Sequence, residues 1–157
     1  MKPKVYIESS VISVAANRMP SDLVLAAKQK MTLDWWTDRS SHLSLFISQL
    51  VLGEIGSGDA VAAERRLSMV RSLPLLEMTD DALELARSML ISRLVPKKAA
   101  EDAIHIAVAA VHGMDYLVSW NCKHIANAML RIKIANGIER AGYRAPVICT
   151  PEELMGV

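Results

Sequence analysis

The chain has 157 residues, of which 52% are hydrophobic and 22% charged, and its formal net charge is +1 at pH 7. This length and composition are those of a globular protein that buries a core without disulfide staples, so we expect one domain over residues 1–157. The low net charge gives no support to a protein that binds polyanions over its whole surface.

A local excess of positive charge lies between residues 121 and 145. It leaves open two interpretations, a phosphate-binding face and a solvated helix face. The cations are Lys123, Arg131, Lys133, Arg140 and Arg144, and the only acid among them is Glu139.

The two cysteines, Cys122 and Cys149, are too few for a zinc motif or a disulfide framework and fit free thiols in a reducing compartment. The first apolar run is broken at Glu8, which argues against a signal peptide. No stretch approaches the roughly 20 apolar residues that a membrane span needs. We therefore expect a cytoplasmic protein without membrane contact.

The spacing of apolar residues predicts strands that alternate with helices. Strands are predicted at residues 4–7, 43–47, 73–78, 116–119 and 147–149. Helices are predicted at residues 23–38 behind a Ser21 cap, 48–55, 59–71 with Asp59 as cap, 80–92 behind Thr79, 97–112 and 125–140. TPEEL predicts a closing helix with a capping box of Thr150 and Glu153. The helix at 23–38 is expected to bury Leu23, Ala26, Ala27, Met31 and Leu33.

This alternation predicts a three-layer α/β/α sandwich with a central, mainly parallel sheet. Ligand sites in such sheets lie at the carboxyl ends of the strands. Glu8 ends the first strand and Asn121 closely follows the strand at 116–119, so we expect both at that edge. Asp115 precedes its strand and is expected at the opposite edge.

Three acids are not readily explained as helix caps or exposed charges. Asp102 lies in AAEDAIHIAVAAV, a helix that is apolar nearly all the way round, where an unpaired carboxylate is costly. Glu54 lies in the apolar segment LVLGEI, and Glu8 closes a strand that we expect to be buried. The alternatives are an acid on an exposed helix edge for Asp102, an exposed helix acid for Glu54 and a turn acid for Glu8.

Carboxylates combined with an amide oxygen form a ligand set that suits Mg²⁺ or Mn²⁺. Like charges at one edge repel each other, and a divalent cation is the simplest compensation. Such an ion can activate water and stabilise the charge that develops on a phosphodiester. The pattern therefore points to metal-dependent phosphodiester hydrolysis.

The segments YIESSVIS, ISQLVLGEI, AAEDAIHIAVAAVHGMDYLVSWNCKHIANA and TPEEL together resemble PIN-domain proteins of the VapC toxin type, over essentially the whole chain. The resemblance implies a PIN-like fold and a ribonuclease that uses Mg²⁺ or Mn²⁺. By position, the resemblance implies that the catalytic, metal-binding residues are Glu8, Glu54, Asp102 and Asn121, with Glu8 and Asp102 as the principal ligands. Ser10 and Ser119 match hydroxyl positions that support the acids.

Two positions depart from the family pattern. The first acid is usually Asp, and Glu8 is one methylene longer, while Asn121 often corresponds to an Asp and removes one negative charge. The second departure weakens the case for a second metal.

The resemblance also implies an RNA substrate, a cognate antitoxin as partner and a homodimer.

Several other side chains allow more than one interpretation. His105 could orient Asp102 or approach RNA, or it could be a buried histidine hydrogen-bonded to a neighbour. Trp35 and Trp36 are expected to anchor their helix by packing, whereas Trp120 could also stack on a base.

Two other functions are consistent with the residues. One is a PIN-like protein that binds RNA or a partner peptide without effective cleavage, which the departures at Glu8 and Asn121 support. The other is a receiver or phosphatase-like domain, but such a domain normally carries its aspartates together after the first strand, where this chain has serines.

Overall fold

The structure, a computed structural model, describes residues 1–155, with the backbone alone for residues 39 and 40. The strands are β1 (Lys4–Ile7), β2 (Ser44–Ser48), β3 (Leu75–Leu76), β4 (Tyr116–Val118) and β5 (Val147–Cys149). The helices are α1 (Ser9–Ala16), α2 (Leu23–Arg39), α3 (Gln49–Ile55), α4 (Ala60–Val70), α5 (Asp80–Ile91), α6 (Ala100–Val111) and α7 (Ala128–Arg140). Single 3₁₀ turns lie at Ser40–His42, Lys97–Ala99 and Glu152–Leu154.

The five strands form one sheet in the order β3-β2-β1-β4-β5, and every neighbouring pair is parallel. Val5, Tyr6 and Ile7 are all fully buried, so both faces of the central strand β1 are covered. The predicted α/β/α sandwich with a parallel sheet is confirmed. This order places the carboxyl ends of β2, β1 and β4 side by side at the middle of one edge.

The helix α6 confirms the prediction of a buried helix. Ala103, Ile106 and Ala107 are fully buried in it, as the apolar run suggested. The regular helix starts three residues later than predicted, after the 3₁₀ turn at Lys97–Ala99. Asp102 therefore lies in the first turn of α6.

The predicted apolar face of α2 is wrong. Leu23 is 85% exposed and Leu33 is 41% exposed, whereas Gln29 and Thr32 are buried on the same side as Trp35. The polar side chains can be buried because the fold satisfies their hydrogen bonds. Gln29 donates through its amide to backbone carbonyls near the end of α1, and Thr32 donates to the backbone of its own helix.

The helix α1 was not predicted from the sequence. Its segment, SSVISVAA, opens with two serines and contains β-branched residues, which favour a helix only weakly. Glu8 caps the helix by accepting a hydrogen bond from the Ser10 amide, and burial of Val11 and Ile12 against the core holds it in place.

Some predicted boundaries also change. Asp22 and not Ser21 accepts the capping hydrogen bond at the start of α2. The strand at 73–78 contracts to two residues, and the helix at 125–140 begins only at residue 128, behind an Asn127 cap. The closing helix is a single 3₁₀ turn, but its predicted capping box is confirmed, since Thr150 and Glu153 exchange hydrogen bonds.

Among residues 1–155, no helix combines the length and the apolar character that a bilayer crossing requires.

Candidate metal centre

Glu8 lies at the junction of β1 and α1, and its carboxylate is held by several donors. Its Oε1 accepts from the hydroxyls of Ser10 and Ser119, the latter at 2.6 Å, and its Oε2 accepts from the Ser10 amide at 3.1 Å. Only 5% of the residue is exposed. Glu8 is therefore both the turn acid of one interpretation and a buried carboxylate at the predicted sheet edge.

Glu54 lies in the last turn of α3 and points inward. Its Oε1 accepts from Ser9 Oγ at 2.6 Å and lies 2.5 Å from His105 Nε2. Burial raises the pKa of this carboxyl, but the hydrogen bonds from His105 and Ser9 outweigh burial and hold the pKa at about 2. Glu54 is thus ionised at neutral pH, and the interpretation as an exposed helix acid is wrong.

Asp102 and Asn121 form a pair on the other side of the site. The Asn121 side-chain amide donates to Asp102 Oδ1 at 3.1 Å, and its oxygen accepts from the His124 backbone at 3.1 Å. The Asn121 backbone amide donates to Ser119 Oγ at 2.9 Å, and Ser119 in turn donates to Glu8. Hydrogen bonds therefore connect the pair to Glu8.

The carboxylates at this edge come from separate parts of the chain. Glu8, Glu54 and His105 offer possible ligand atoms that all lie within 4.8 Å of one another. Asp102 precedes His105 by three residues, close to one turn of α6, so the two project from neighbouring positions of one helix face. The residues predicted for the site are thus held by β1, α3, α6 and the loop that follows β4.

No protein-family model matches the sequence, and no curated protein matches it. Two solved structures are similar in fold along nearly the whole chain. A chain of VapBC2 from Rickettsia felis, bound to a DNA fragment of its promoter, superposes with a TM-score of 0.61 at 13% identity, over 94% of this chain and 98% of that one. VapC20 of Mycobacterium tuberculosis, a toxin that cleaves the sarcin-ricin loop, superposes with a TM-score of 0.58 at 18% identity, over 88% and 95%.

The chain has the PIN-domain fold of VapC toxins. The resemblance seen in the sequence is thus confirmed at the level of the fold. Within this fold, Glu8 follows β1, Glu54 lies on α3 and Asp102 on α6, and the assignment of these acids as metal ligands stays a prediction.

Glu101 is a further acid of the site in this PIN fold that sequence reasoning missed. A hydrogen bond to Glu54 raises the pKa of the Glu101 carboxyl, because ionisation of one of these carboxyl groups opposes ionisation of the other. The signal available in the sequence was its position next to Asp102 in the first turn of α6. Crowded carboxylates at a strand edge are a donor set that fits a hard divalent cation.

The structure also decides the interpretation of His105. Its imidazole is fully buried and contacts Glu54 and Tyr6, not Asp102. It is thus a buried histidine hydrogen-bonded to its neighbours. Ser9 and Tyr6, which take part in the same contacts, had no sequence signal that separated them from core or cap residues.

A cavity of about 410 Å³ opens beside Asp102. Its lining includes the half-buried His124 and the exposed Lys98, together with Glu101 and Asp102. A cavity of this size is in the range of small-molecule sites, and it joins the acids to solvent.

Trp120 lies between two residues of the site, and its indole is held by the protein. Its backbone amide donates to Ser10 Oγ at 2.8 Å, and its ring N–H donates to Thr32 Oγ1 at 2.8 Å. The Lys28 ammonium lies 5.3 Å from the ring centroid, a cation–π contact on the ring face. Base stacking by Trp120 stays a prediction. The predicted packing role of Trp35 and Trp36 is confirmed, since Trp35 is buried in the core and the partly buried Trp36 packs against it.

Charges elsewhere in the PIN fold behave as structural pairs. Asp115 lies at the opposite edge, as predicted, where it accepts from the Lys4 amide and pairs with Arg144 at 3.0 Å. Arg131 makes two hydrogen bonds to Glu153, each 2.8 Å long. Two of the cations between residues 121 and 145 are thereby neutralised locally.

Proposed function

We propose that this protein is a metal-dependent endoribonuclease that hydrolyses RNA phosphodiester bonds. The observation that carries the proposal is the convergence of Glu8 and Glu54, whose possible ligand atoms lie within 4.8 Å of each other and of His105, in a sheet with the VapC fold. Asp102 lies three residues before His105 on α6 and is joined to Glu8 through Asn121 and Ser119. One protein with that fold is described as cleaving the sarcin-ricin loop.

The proposed metal is Mg²⁺ or Mn²⁺, held by the carboxylates of Glu8, Glu54 and Asp102, with Asn121 completing the set and fixing Asp102 by its amide hydrogen bond. When bound, such an ion supplies Lewis-acid activation of water and stabilises charge on the phosphodiester. Ser10 and Ser119 keep the Glu8 carboxylate oriented by donating hydrogen bonds to it.

The substrate is proposed to enter through the cavity beside Asp102. Lys98 and His124 line that cavity next to the acids, and a cation at this position favours a phosphate group of the RNA backbone. The carboxylates alone would repel such a group, so binding of RNA and binding of the metal are expected to support each other.

The test is cleavage of purified RNA with and without Mg²⁺ or Mn²⁺. We expect cleavage to require the ion, to stop with a chelator and to fall by orders of magnitude in Asp102→Asn, which keeps the size of the side chain and removes its charge. Asp115→Asn, at the opposite edge, is the matched control and should cleave like the unmodified protein. Equal cleavage in the presence of chelator would overturn the proposal.

We further propose a toxin role, in which a cognate antitoxin covers the site and the toxin forms a homodimer in the cytoplasm. Several large apolar side chains near the start of α2 are exposed to solvent, which supports a protein interface there. They are Met19, Leu23, Val24 and Leu25. The checks are the molar mass in solution, and whether a small reading frame beside the gene encodes a DNA-binding protein that suppresses toxicity when both are expressed.

A second candidate function is binding of RNA or of a partner peptide without cleavage. The hydrogen bonding of Glu8 favours it, because three donors already use most of the lone pairs of that carboxylate. Equal RNA binding by the unmodified protein and by Asp102→Asn, with no cleavage by either, would select this candidate.

A further inference from the structure

A buried chain of hydrogen bonds leads from the start of α3 to Glu54. Ser48 Oγ, which caps α3, lies 2.7 Å from the Tyr6 hydroxyl, and that hydroxyl lies 2.7 Å from His105 Nδ1. His105 Nε2 then lies 2.5 Å from Glu54 Oε1. Ser48, Tyr6 and His105 are fully buried, so water does not compete for these contacts.

The chemistry of the groups identifies the donor at the two ends of the chain. An ionised carboxylate only accepts hydrogen bonds, so His105 Nε2 must carry a hydrogen and donate it to Glu54. The Val51 amide donates to Ser48 Oγ, which leaves the serine hydrogen free for Tyr6. The Tyr6 hydroxyl and His105 Nδ1 form the remaining contact. Hydrogen bonds thus run without interruption from Ser48 to Glu54, an arrangement in which each bond strengthens the next.

The same chain joins the three elements that carry the acids. Tyr6 lies on β1 two residues before Glu8, so both side chains leave the same face of the strand. His105 lies on α6, as Asp102 does, while Ser48 and Glu54 lie at the two ends of α3. The contacts therefore hold the start of α3 against β1, through Ser48 and Tyr6, and its last turn against α6, through Glu54 and His105.

We propose that Tyr6 and His105 are positioning residues of the metal site, which hold the Glu54 carboxylate at its distance from Glu8 and Asp102. This inference rests on the proposed function. His105 does not coordinate the ion in this arrangement, because both of its ring nitrogens are already engaged, Nε2 by Glu54 and Nδ1 by Tyr6. The two residues act through Glu54.

The experiment measures Mn²⁺ affinity by calorimetry without RNA, in parallel with kcat and KM for RNA cleavage. The variants are Tyr6→Phe, which removes one oxygen, His105→Leu, which removes both ring nitrogens, and His105→Gln, which keeps a donor towards Glu54. We expect Tyr6→Phe and His105→Leu to weaken Mn²⁺ binding about tenfold or more and to lower kcat, and His105→Gln to recover most of the loss. If His105→Leu does not fold, Tyr6→Phe decides the test.

The matched control is Ile138→Ala, in a buried position of α7, a helix that carries none of the proposed ligands. It loses core packing but should bind Mn²⁺ within about twofold of the unmodified protein, since it leaves the chain of hydrogen bonds intact. Loss of affinity in Tyr6→Phe but not in Ile138→Ala separates positioning from a general loss of stability.

Two results would overturn the inference while the proposed function stands. One is unchanged Mn²⁺ affinity and kcat in both Tyr6→Phe and His105→Leu. The other is a directly bound imidazole nitrogen in the pulsed electron paramagnetic resonance spectrum of the Mn²⁺-loaded protein that disappears in His105→Gln, since that would make His105 a ligand. If the unmodified protein bound no Mn²⁺, both the proposed function and this inference would fail.

Discussion

The extra methylene of Glu8 determines where its carboxylate lies. The side chain reaches Ser119, which follows the neighbouring strand β4, and at the same time accepts from Ser10 in the helix that Glu8 caps. An aspartate would keep the charge and could still cap the helix, but it would withdraw the carboxylate from Ser119. The site is built around the longer side chain.

We therefore expect Glu8→Asp to lower metal-dependent cleavage about tenfold or more while the free energy of unfolding changes by less than about 1 kcal/mol. Cleavage rates and urea unfolding of the same preparation test this. Glu8→Gln, which keeps the length and removes the charge, is the companion variant. Higher activity in Glu8→Asp would mean that the native side chain detunes the site.

The depressed pKa of Glu54 makes the free energy of unfolding depend on pH. Its pKa is about 2 in the folded protein, below the ordinary value of 4.5, so the ionised form is favoured by folding. The stabilisation is fully present above the ordinary pKa and is lost as the pH falls from about 4.5 towards 2.

We expect Glu54→Gln to be less stable than the unmodified protein at neutral pH, because the ion–dipole contacts with His105 and Ser9 weaken. Solvent screens the half-buried carboxylate, so the loss is expected to be about 1 kcal/mol. The difference should be constant above a pH of about 4.5 and shrink as the pH falls from about 4.5 towards 2. Urea unfolding in the presence of chelator measures it. A difference that stays constant over this range would contradict the depressed pKa.

At the scale of the elements, a residue with a strained backbone lies two positions after the end of α5. Arg93 has φ of 60°, the left-handed region, and follows the last turn of the helix, where the Leu94 amide donates to the Met89 carbonyl. Glycine is the usual residue at this position because it adopts positive φ without steric cost.

Arg93→Gly is therefore expected to raise the free energy of unfolding by about 0.5–1 kcal/mol, since relief of the backbone strain exceeds the extra entropy of glycine in the unfolded chain. Thermal or urea unfolding gives the value. Arg93→Ala keeps a Cβ and should show no such gain. If both variants raised the free energy of unfolding equally, the gain would come from the loss of the arginine side chain and not from relief of backbone strain.

At the scale of the whole molecule, the acids and the core form one unit. The central strand that precedes Glu8 is buried on both faces, and the helices that carry Glu54 and Asp102 contribute buried residues to the same core. Metal bound at this site would therefore stabilise the whole fold, because the unfolded chain lacks the site.

We expect a single unfolding transition whose midpoint rises by about 5–10 °C with Mn²⁺ at a hundredfold excess over its dissociation constant. Scanning calorimetry with and without the ion tests this. Asp115→Asn should show the same rise and Asp102→Asn little of it. Two separate transitions would contradict the prediction of one domain.

Much of the fold follows from local patterns in the sequence. The alternation of apolar strands and helices predicted the parallel sheet, and the apolar run around residues 103–110 predicted the buried helix α6. The prediction failed where tertiary contacts override local preference. In α2, Gln29 and Thr32 are buried because distant backbone and ring groups satisfy them, and no spacing of apolar residues reveals such partners.

By itself, the sequence determined which residues carry charge and at which ends of strands and helices they lie, because these properties depend on neighbours along the chain. The strand ends therefore predicted that Glu8 and Asn121 belong to one edge, and the family resemblance added Glu54 and Asp102. Only the tertiary structure decided which of them touch. The contact of His105 with Glu54 and Tyr6, and that of Asn121 with Asp102, depend on how β1, α3 and α6 pack, since each joins residues that are far apart in the chain.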